Sequence, residues 1–179
     1  MKEKVSKNAI VDGITQAIID GGKDSFRKLI TILNNEKYKK HFSGSLLEGV
    51  REKESINFII FKFFLELQVL KNTFEKEIAD EFKNMSIELF AQKLKYDKDK
   101  LIKEIEIYEK KFDEDIGAGI NPFDSLGILA ILCEKLKFKK TVDIGGTKWF
   151  DPILIQSLNS FVGPTGMWKK AKELYEINE

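Results

Sequence analysis

The stretch INFIIFKFFLELQVL, at positions 56–70, decides the fold class of this 179-residue chain. Its apolar residues occupy every face of a helix and are interrupted by charges at Lys62 and Glu66. The window is shorter than the ~20 apolar residues that a membrane-spanning helix needs. A helix that is apolar on all sides is enclosed by other elements of a folded protein. We therefore expect a central buried helix and no membrane partner.

Apolar residues recur at spacings of three and four on both sides of this window, which predicts a mainly α protein built as a compact multi-helix bundle. Gly21 and Gly22 are expected to end the first helix, and Asp24 or Ser25 to cap a second one. The apolar pattern from position 56 continues to about 84, as one helix or as two with a break near Asn72. Further helices are expected to start at Ser86, Asp97 and Asp151.

Glycine and all three prolines are concentrated in the last third of the chain, where shorter elements are expected. The strings KKTVDI and TKWF flank Gly145 and Gly146, and a glycine pair supplies the positive φ angles of a tight turn. This pattern predicts one short β-hairpin near 139–150. We expect a single domain over 1–179; the alternative is a helical bundle over 1–115 with a smaller helical subdomain and hairpin over 116–179.

Composition excludes several kinds of site. The chain has one histidine, His41, and one cysteine, Cys133, so it cannot form an internal disulfide or a zinc site of several Cys and His ligands. Carboxylate sites for hard cations such as Mg²⁺ or Ca²⁺ remain open, although no metal or other cofactor is expected. Nothing requires an oxidising compartment, so we expect a cytoplasmic protein. A net charge of +1, from 30 basic and 29 acidic residues, gives no global attraction to nucleic acid. The bias towards Lys over Arg, and towards Ile, Phe and Asn, suggests a bacterial or phage genome rich in A and T.

Two short strings resemble known sites. VDIGGTK, at 142–148, resembles the phosphate-binding hairpin of the ROK family of sugar kinases. That resemblance implies Asp143 near a metal and Gly145, Gly146 and Thr147 at the phosphates of ATP; a plain hairpin is the alternative. Asp124-Ser125-Leu126 resembles the attachment site of acyl carrier proteins, which implies a phosphopantetheine on Ser125, and the alternative is a helix cap.

The leading functional hypothesis is a non-enzymatic protein that binds another protein, such as an inhibitor, immunity factor, adaptor or assembly factor. Trp149, Phe150 and Trp168 lie near glycine-rich loops, and we expect them to be exposed binding anchors, since aromatic residues are enriched among binding hot spots. An acidic cluster is expected to dock a basic partner. Its members are Glu109, Asp113, Glu114 and Asp115.

Two other classes of function remain open. The first is a nucleic-acid-binding protein that uses a basic patch with an interleaved aromatic residue. That patch consists of Lys23, Arg27, Lys28, Lys37, Tyr38, Lys39 and Lys40. The second is an enzyme of unrecognised type, with His41 as a general base beside Ser43 or Ser45, or with Asp143 as a participant. A homo-oligomer is also open, because an apolar helix face looks the same whether it packs within the chain or on a second copy.

Overall fold

A computed structural model describes residues 2–36, 54–121 and 126–178. The helices are α1 (Lys7–Leu33), α2 (Ser55–Thr73), α3 (Lys76–Leu94), α4 (Lys98–Gly117), α5 (Leu126–Lys135), α6 (Pro152–Val162) and α7 (Met167–Leu174). The strands are β1 (Glu3–Ser6), β2 (Val142–Ile144), β3 (Thr147–Trp149) and β4 (Tyr175–Asn178). The predicted mainly α bundle with a short hairpin is confirmed.

Helix α2 is the centre of the bundle, as the sequence predicts. Every residue at positions 58–70 except Val69 is buried. Aromatic rings join α2 to its neighbours: Phe63 stacks on Phe90 of α3 with 4.0 Å between ring centroids, and Phe61 meets Tyr108 of α4 edge-on at 4.9 Å. A single cluster of buried apolar side chains includes residues from all of the helices α1 to α7. Burial of these side chains is the main source of stability.

Helix α1 continues through Gly21 and Gly22, so the predicted helix end there is wrong, and so is the predicted start of a second helix at Asp24 or Ser25. Glycine in a helix interior costs about 1 kcal/mol relative to alanine, but packing outweighs that cost. Gly22 is buried against α2, and a Cβ atom there would lie 2.9 Å from Cγ1 of Ile59. The missing side chain therefore lets α1 and α2 approach closely.

Alanine substitutions at the two adjacent glycines should change the free energy of unfolding in opposite directions. A Cβ at Gly21 meets open space, so Gly21→Ala is expected to raise the free energy of unfolding by about 0.5–1 kcal/mol. Gly22→Ala is expected to lower it by about 1–3 kcal/mol, because the new methyl group overpacks the contact with Ile59. Urea denaturation of both variants checks this, and a stabilised Gly22→Ala protein would contradict the close approach of the two helices.

The long apolar pattern from position 56 forms two helices. The chain is extended at Phe74 and Glu75, and α3 begins without a side-chain cap, so the break does not depend on a capping interaction. Ser86 is buried in the middle of α3, so the helix start predicted there is wrong. The starts predicted at Asp97 and Asp151 are confirmed, since each carboxylate accepts a hydrogen bond from a backbone N–H of the first helical turn, at 2.7 and 2.8 Å.

Strands β1 and β4 form a two-stranded parallel ribbon, which is not among the elements expected from the sequence. The register pairs Glu3 with Tyr175 and Val5 with Ile177, and paired residues lie on the same face of a sheet. Lys4 lies opposite Glu176 on the other face. The ribbon thus joins the segment before α1 to the segment after α7.

Candidate protein-binding site

The β2–β3 hairpin presents an exposed apolar surface. The register pairs Val142 with Trp149 and Ile144 with Thr147, which places Val142, Ile144 and Trp149 on one side, here called the hairpin face. Trp149 is 52% exposed and Ile144 is 62% exposed. Single exposed apolar residues are ordinary, but a tryptophan and an isoleucine on one short hairpin form a compact apolar patch.

The turn of the hairpin is built from the Gly145-Gly146 pair, as predicted. Both glycines have positive φ angles, 59° and 82°, which is the type I′ geometry that matches the twist of two antiparallel strands. The Asp143 carboxylate accepts a hydrogen bond from the Gly146 N–H at 2.9 Å. Asp143 therefore holds the turn, and this is the role that the structure gives to the aspartate of VDIGGTK.

Two buried phenylalanines hold the base of the hairpin. Phe138 precedes β2 and Phe150 follows β3, and each is 5% exposed. The Nζ atom of Lys140 lies 5.2 Å from the centre of the Phe150 ring. The two strands make their main contacts with each other, so the hairpin projects from an anchored base. The prediction that Phe150 is exposed is wrong, because this ring is part of the core.

Trp168 was also expected to be exposed, and that prediction is wrong. The side chain is 1% exposed and stacks on Phe82 with 5.4 Å between ring centroids. Phe74 meets the same indole edge-on at 6.4 Å. Trp168 is the second residue of the amphipathic helix α7, and its side chain lies on the buried face of that helix. It contributes to the fold and not to a surface.

The acidic cluster is divided by the fold. Glu109 accepts hydrogen bonds from Lys71 at 2.8 Å and Lys83 at 2.9 Å. Burial alone would raise the pKa of Glu109, but these two lysines outweigh it, and the pKa lies below its ordinary value. Asp115 is buried and pairs with Lys111 at 2.8 Å. These two carboxylates already have intramolecular partners.

The other two members of the cluster, Asp113 and Glu114, are exposed near the end of α4. Glu114 lies 3.6 Å from the Nζ atom of Lys111. The exposed acidic surface is therefore smaller than the four-residue sequence cluster suggests.

The basic patch lies partly outside the described residues. Lys23, Arg27 and Lys28 are exposed on α1, and Arg27 lies 3.8 Å from Asp24. Lys37, Tyr38, Lys39 and Lys40 are outside the described residues, as are His41, Ser43, Ser45, Asp124 and Ser125.

The thiol of Cys133 is buried and unreactive. Burial raises the pKa of the Cys133 thiol to about 12, with a smaller contribution from Glu134, so the thiol stays protonated and enclosed. No group of three or more carboxylate, His or Cys side chains that could hold a metal ion occurs within residues 2–36, 54–121 and 126–178. None of the helices in these ranges is both long and apolar enough to cross a membrane.

Two buried charges in α2 fix the turn between α6 and α7. The Nζ atom of Lys62 donates to the carbonyl of Phe161, at the C-terminal end of α6, at 3.1 Å. One helical turn further, the Glu66 carboxylate accepts hydrogen bonds from the N–H and hydroxyl of Thr165 and from the N–H of Gly166. Each charge has the sign that a helix dipole favours at that end. In the sequence, Lys62 and Glu66 are recognisable only as interruptions of an apolar window.

The chain matches no family model, no curated protein and no solved structure. The ROK resemblance accordingly rests on the seven residues of VDIGGTK alone.

Proposed function

We propose that this protein acts by binding another protein, as an inhibitor, immunity factor, adaptor or assembly factor does, and that the hairpin face is the anchor. The observation that carries the proposal is the pair of exposed side chains, Ile144 and Trp149, on one face of a hairpin whose base is fixed by buried phenylalanines. The partner that fits has an apolar cleft wide enough for an indole ring.

The free energy gained by covering exposed apolar side chains favours the hairpin face over the other predicted anchors. Covering the exposed parts of Ile144 and Trp149 contributes of the order of 3–5 kcal/mol before the costs of association are subtracted. An anchor that already has a fixed base loses little conformational freedom on binding, and such preorganisation favours affinity. Phe150 and Trp168 offer no comparable gain, because they are already buried.

Within the part of the chain that the structure describes, β2 and β3 pair only with each other, so each strand of the hairpin has an outer edge without a strand partner there. Backbone groups on such an edge can pair with a strand of another protein. Three-residue strands are too short to supply much affinity in this way. We therefore assign the affinity to the hairpin face.

Removal of the indole should weaken binding. Trp149→Ala is expected to reduce the affinity for the partner at least tenfold, and Ile144→Ala to reduce it by a smaller factor, because hot-spot truncation typically costs more than 1 kcal/mol. The measurement is quantitative capture of the partner by immobilised wild type and variants, followed by titration with the purified partner. Ile107→Ala is the matched control for Ile144→Ala, since Ile107 is an exposed isoleucine on a different element, α4.

Capture is carried out with and without nuclease, at low and high salt. Recovery that depends on nucleic acid and falls steeply with salt would favour the basic patch on α1 and contradict the protein-binding proposal. Equal affinity of wild type and Trp149→Ala, with both folded by circular dichroism, would contradict the assignment of the hairpin face.

A further inference from the structure

The parallel ribbon β1–β4 borders two open cavities. Glu3, Val5, Tyr175 and Ile177 share one face of the ribbon, and each of them lines at least one of the cavities. The residues on the opposite face, Lys4 and Glu176, line neither. The cavities therefore lie where this face of the ribbon meets the helices, and both are open to solvent on one side.

The first cavity, of about 370 Å³, lies between the ribbon, α1 and α7. Small residues, Ala9, Gly13 and Ala171, leave room along its walls, and a Cβ added at Gly13 meets nothing within 4 Å. Most of the other lining side chains are apolar. This shape and chemistry suit an alkyl chain.

The second cavity, of about 470 Å³, lies between the ribbon and the start of α3. Its apolar side consists of Phe74, Ile78 and Phe82, together with Ile177 of the ribbon. Tyr175 lines both cavities, so the two spaces adjoin at this side chain. The two cavities are therefore neighbours on the same side of the ribbon.

The second cavity also has a cationic rim. The side chains of Lys2, Lys7 and Lys172 line it, and Glu75 is the carboxylate in the same lining. Lys7 is neutralised by Glu81 at 2.9 Å. Lys2 and Lys172 instead donate to the neutral backbone carbonyls of Lys172 and Thr73. Among the described residues their charges have no carboxylate partner within ion-pair distance, so the rim carries positive charge beside an apolar space.

We propose that the two cavities bind one free, single-chain anionic amphiphile, such as a long-chain carboxylate. The alkyl chain occupies the first cavity, beside Gly13, and the carboxylate lies in the second, near Lys2 and Lys172. A carboxylate gains charge-assisted hydrogen bonds from these ammonium groups, while the chain gains by leaving water. This site is separate from the hairpin face and does not depend on the proposed protein partner.

The test uses decanoate, below its micelle concentration, titrated into the 179-residue chain by isothermal calorimetry. Saturable binding of one decanoate per chain is expected, with no saturable binding of decyltrimethylammonium, which has the same alkyl chain and the opposite charge. Absence of decanoate binding, or equal binding of the cation, would overturn the proposal.

Two glycine variants test the location without a loss of stability. Gly13→Leu places a side chain in the first cavity, whereas Gly21→Leu places one in open space on the same helix. Leucine has a higher helix propensity than glycine, so both variants should remain folded. We expect Gly13→Leu to weaken decanoate binding at least tenfold and Gly21→Leu to bind as wild type does. Unchanged binding by Gly13→Leu would refute the site.

The head-group position is tested by Lys172→Met, with Lys169→Met on the same helix as its control. Lys172→Met is expected to weaken decanoate binding about tenfold, and Lys169→Met to leave it unchanged. An equal effect of the two substitutions would show a general dependence on net charge and would overturn the assigned position. Trp149→Ala should bind decanoate normally, which separates this site from the hairpin face.

Discussion

Replacement of Trp168 by alanine is expected to lower the free energy of unfolding by about 3–5 kcal/mol, the usual cost of removing a large aromatic side chain from a core. The indole is enclosed, and it stacks on Phe82 and meets Phe74, so its removal leaves a cavity where α3 and α7 meet. Most of the lost stability comes from apolar burial, because the indole N–H has no hydrogen-bond partner among the described residues.

Equilibrium denaturation in guanidinium chloride measures this effect, with circular dichroism as the signal. The natural comparison is Trp149→Ala, for which a change below about 1 kcal/mol is expected, since half of that side chain is already in water. Similar losses from the two substitutions would contradict the assignment of one tryptophan to the core and the other to a surface.

The contrast between the two tryptophans shows what the sequence could not reveal. Both are close to glycine-rich segments, and local sequence offers the same argument for exposure in each case. Burial of Trp168 depends on Phe74 and Phe82, which lie more than 80 positions earlier in the chain. The position of Trp149 follows from a local rule, because the alternation of β-strand residues puts it on the same side as Ile144, away from Asp143 and Lys148.

The fold itself was predictable where one local signal dominated. The all-apolar window gave the central helix, the Asp97 and Asp151 caps gave two helix starts, and the Gly145-Gly146 pair gave the hairpin. Prediction failed where packing outweighed a local rule, as at Gly22, where the absence of a side chain serves the contact with Ile59.

The parallel ribbon was missed for a different reason. Its two strands have four residues each and are separated by nearly the whole chain, and only the second, YEIN, alternates between apolar and polar residues. Only the fold brings them together. Both cavities depend on that pairing, so the amphiphile site could not have been inferred from the sequence.

Lysine has a repeated structural role in this protein. Lys62, Lys172 and Lys2 each donate to a carbonyl in the last turn of a helix, in α6, α2 and α7 respectively. Such carbonyls have no partner within their own helix, and a cation also interacts favourably with the negative end of the helix dipole. Lys62 differs from the other two because it is buried in the core helix. Burial of its charge therefore lowers the stability of the fold unless neighbouring groups compensate the charge.

Glu66 compensates the buried charge of Lys62, so we expect the free energy of unfolding to be especially sensitive to substitution of Glu66. Glu66→Ala is expected to lower the free energy of unfolding by about 3 kcal/mol near neutral pH, because it removes the acceptor for Thr165 and Gly166 and leaves Lys62 as a buried charge without its neighbouring carboxylate. Glu66→Gln keeps the shape and one acceptor oxygen, so it should cost less. Chemical denaturation of both variants provides the comparison, and an effect of Glu66→Ala below 1 kcal/mol would contradict this role.

The dependence of the free energy of unfolding on pH distinguishes the effect of a buried charge from a simple loss of packing. Burial lowers the pKa of Lys62 below its ordinary value, and the charge of Glu66 opposes this shift in part. Between the lowered pKa and the ordinary value of 10.5, the unfolded chain binds the proton and the folded chain does not, so stability rises with pH through that window. Without Glu66 the pKa of Lys62 falls further, so the rise of stability with pH begins at a lower pH. The loss of stability caused by Glu66→Ala should therefore become smaller as the pH rises towards 10.5. Lys62→Met should abolish this dependence of stability on pH, because methionine fills a similar volume and cannot carry the charge.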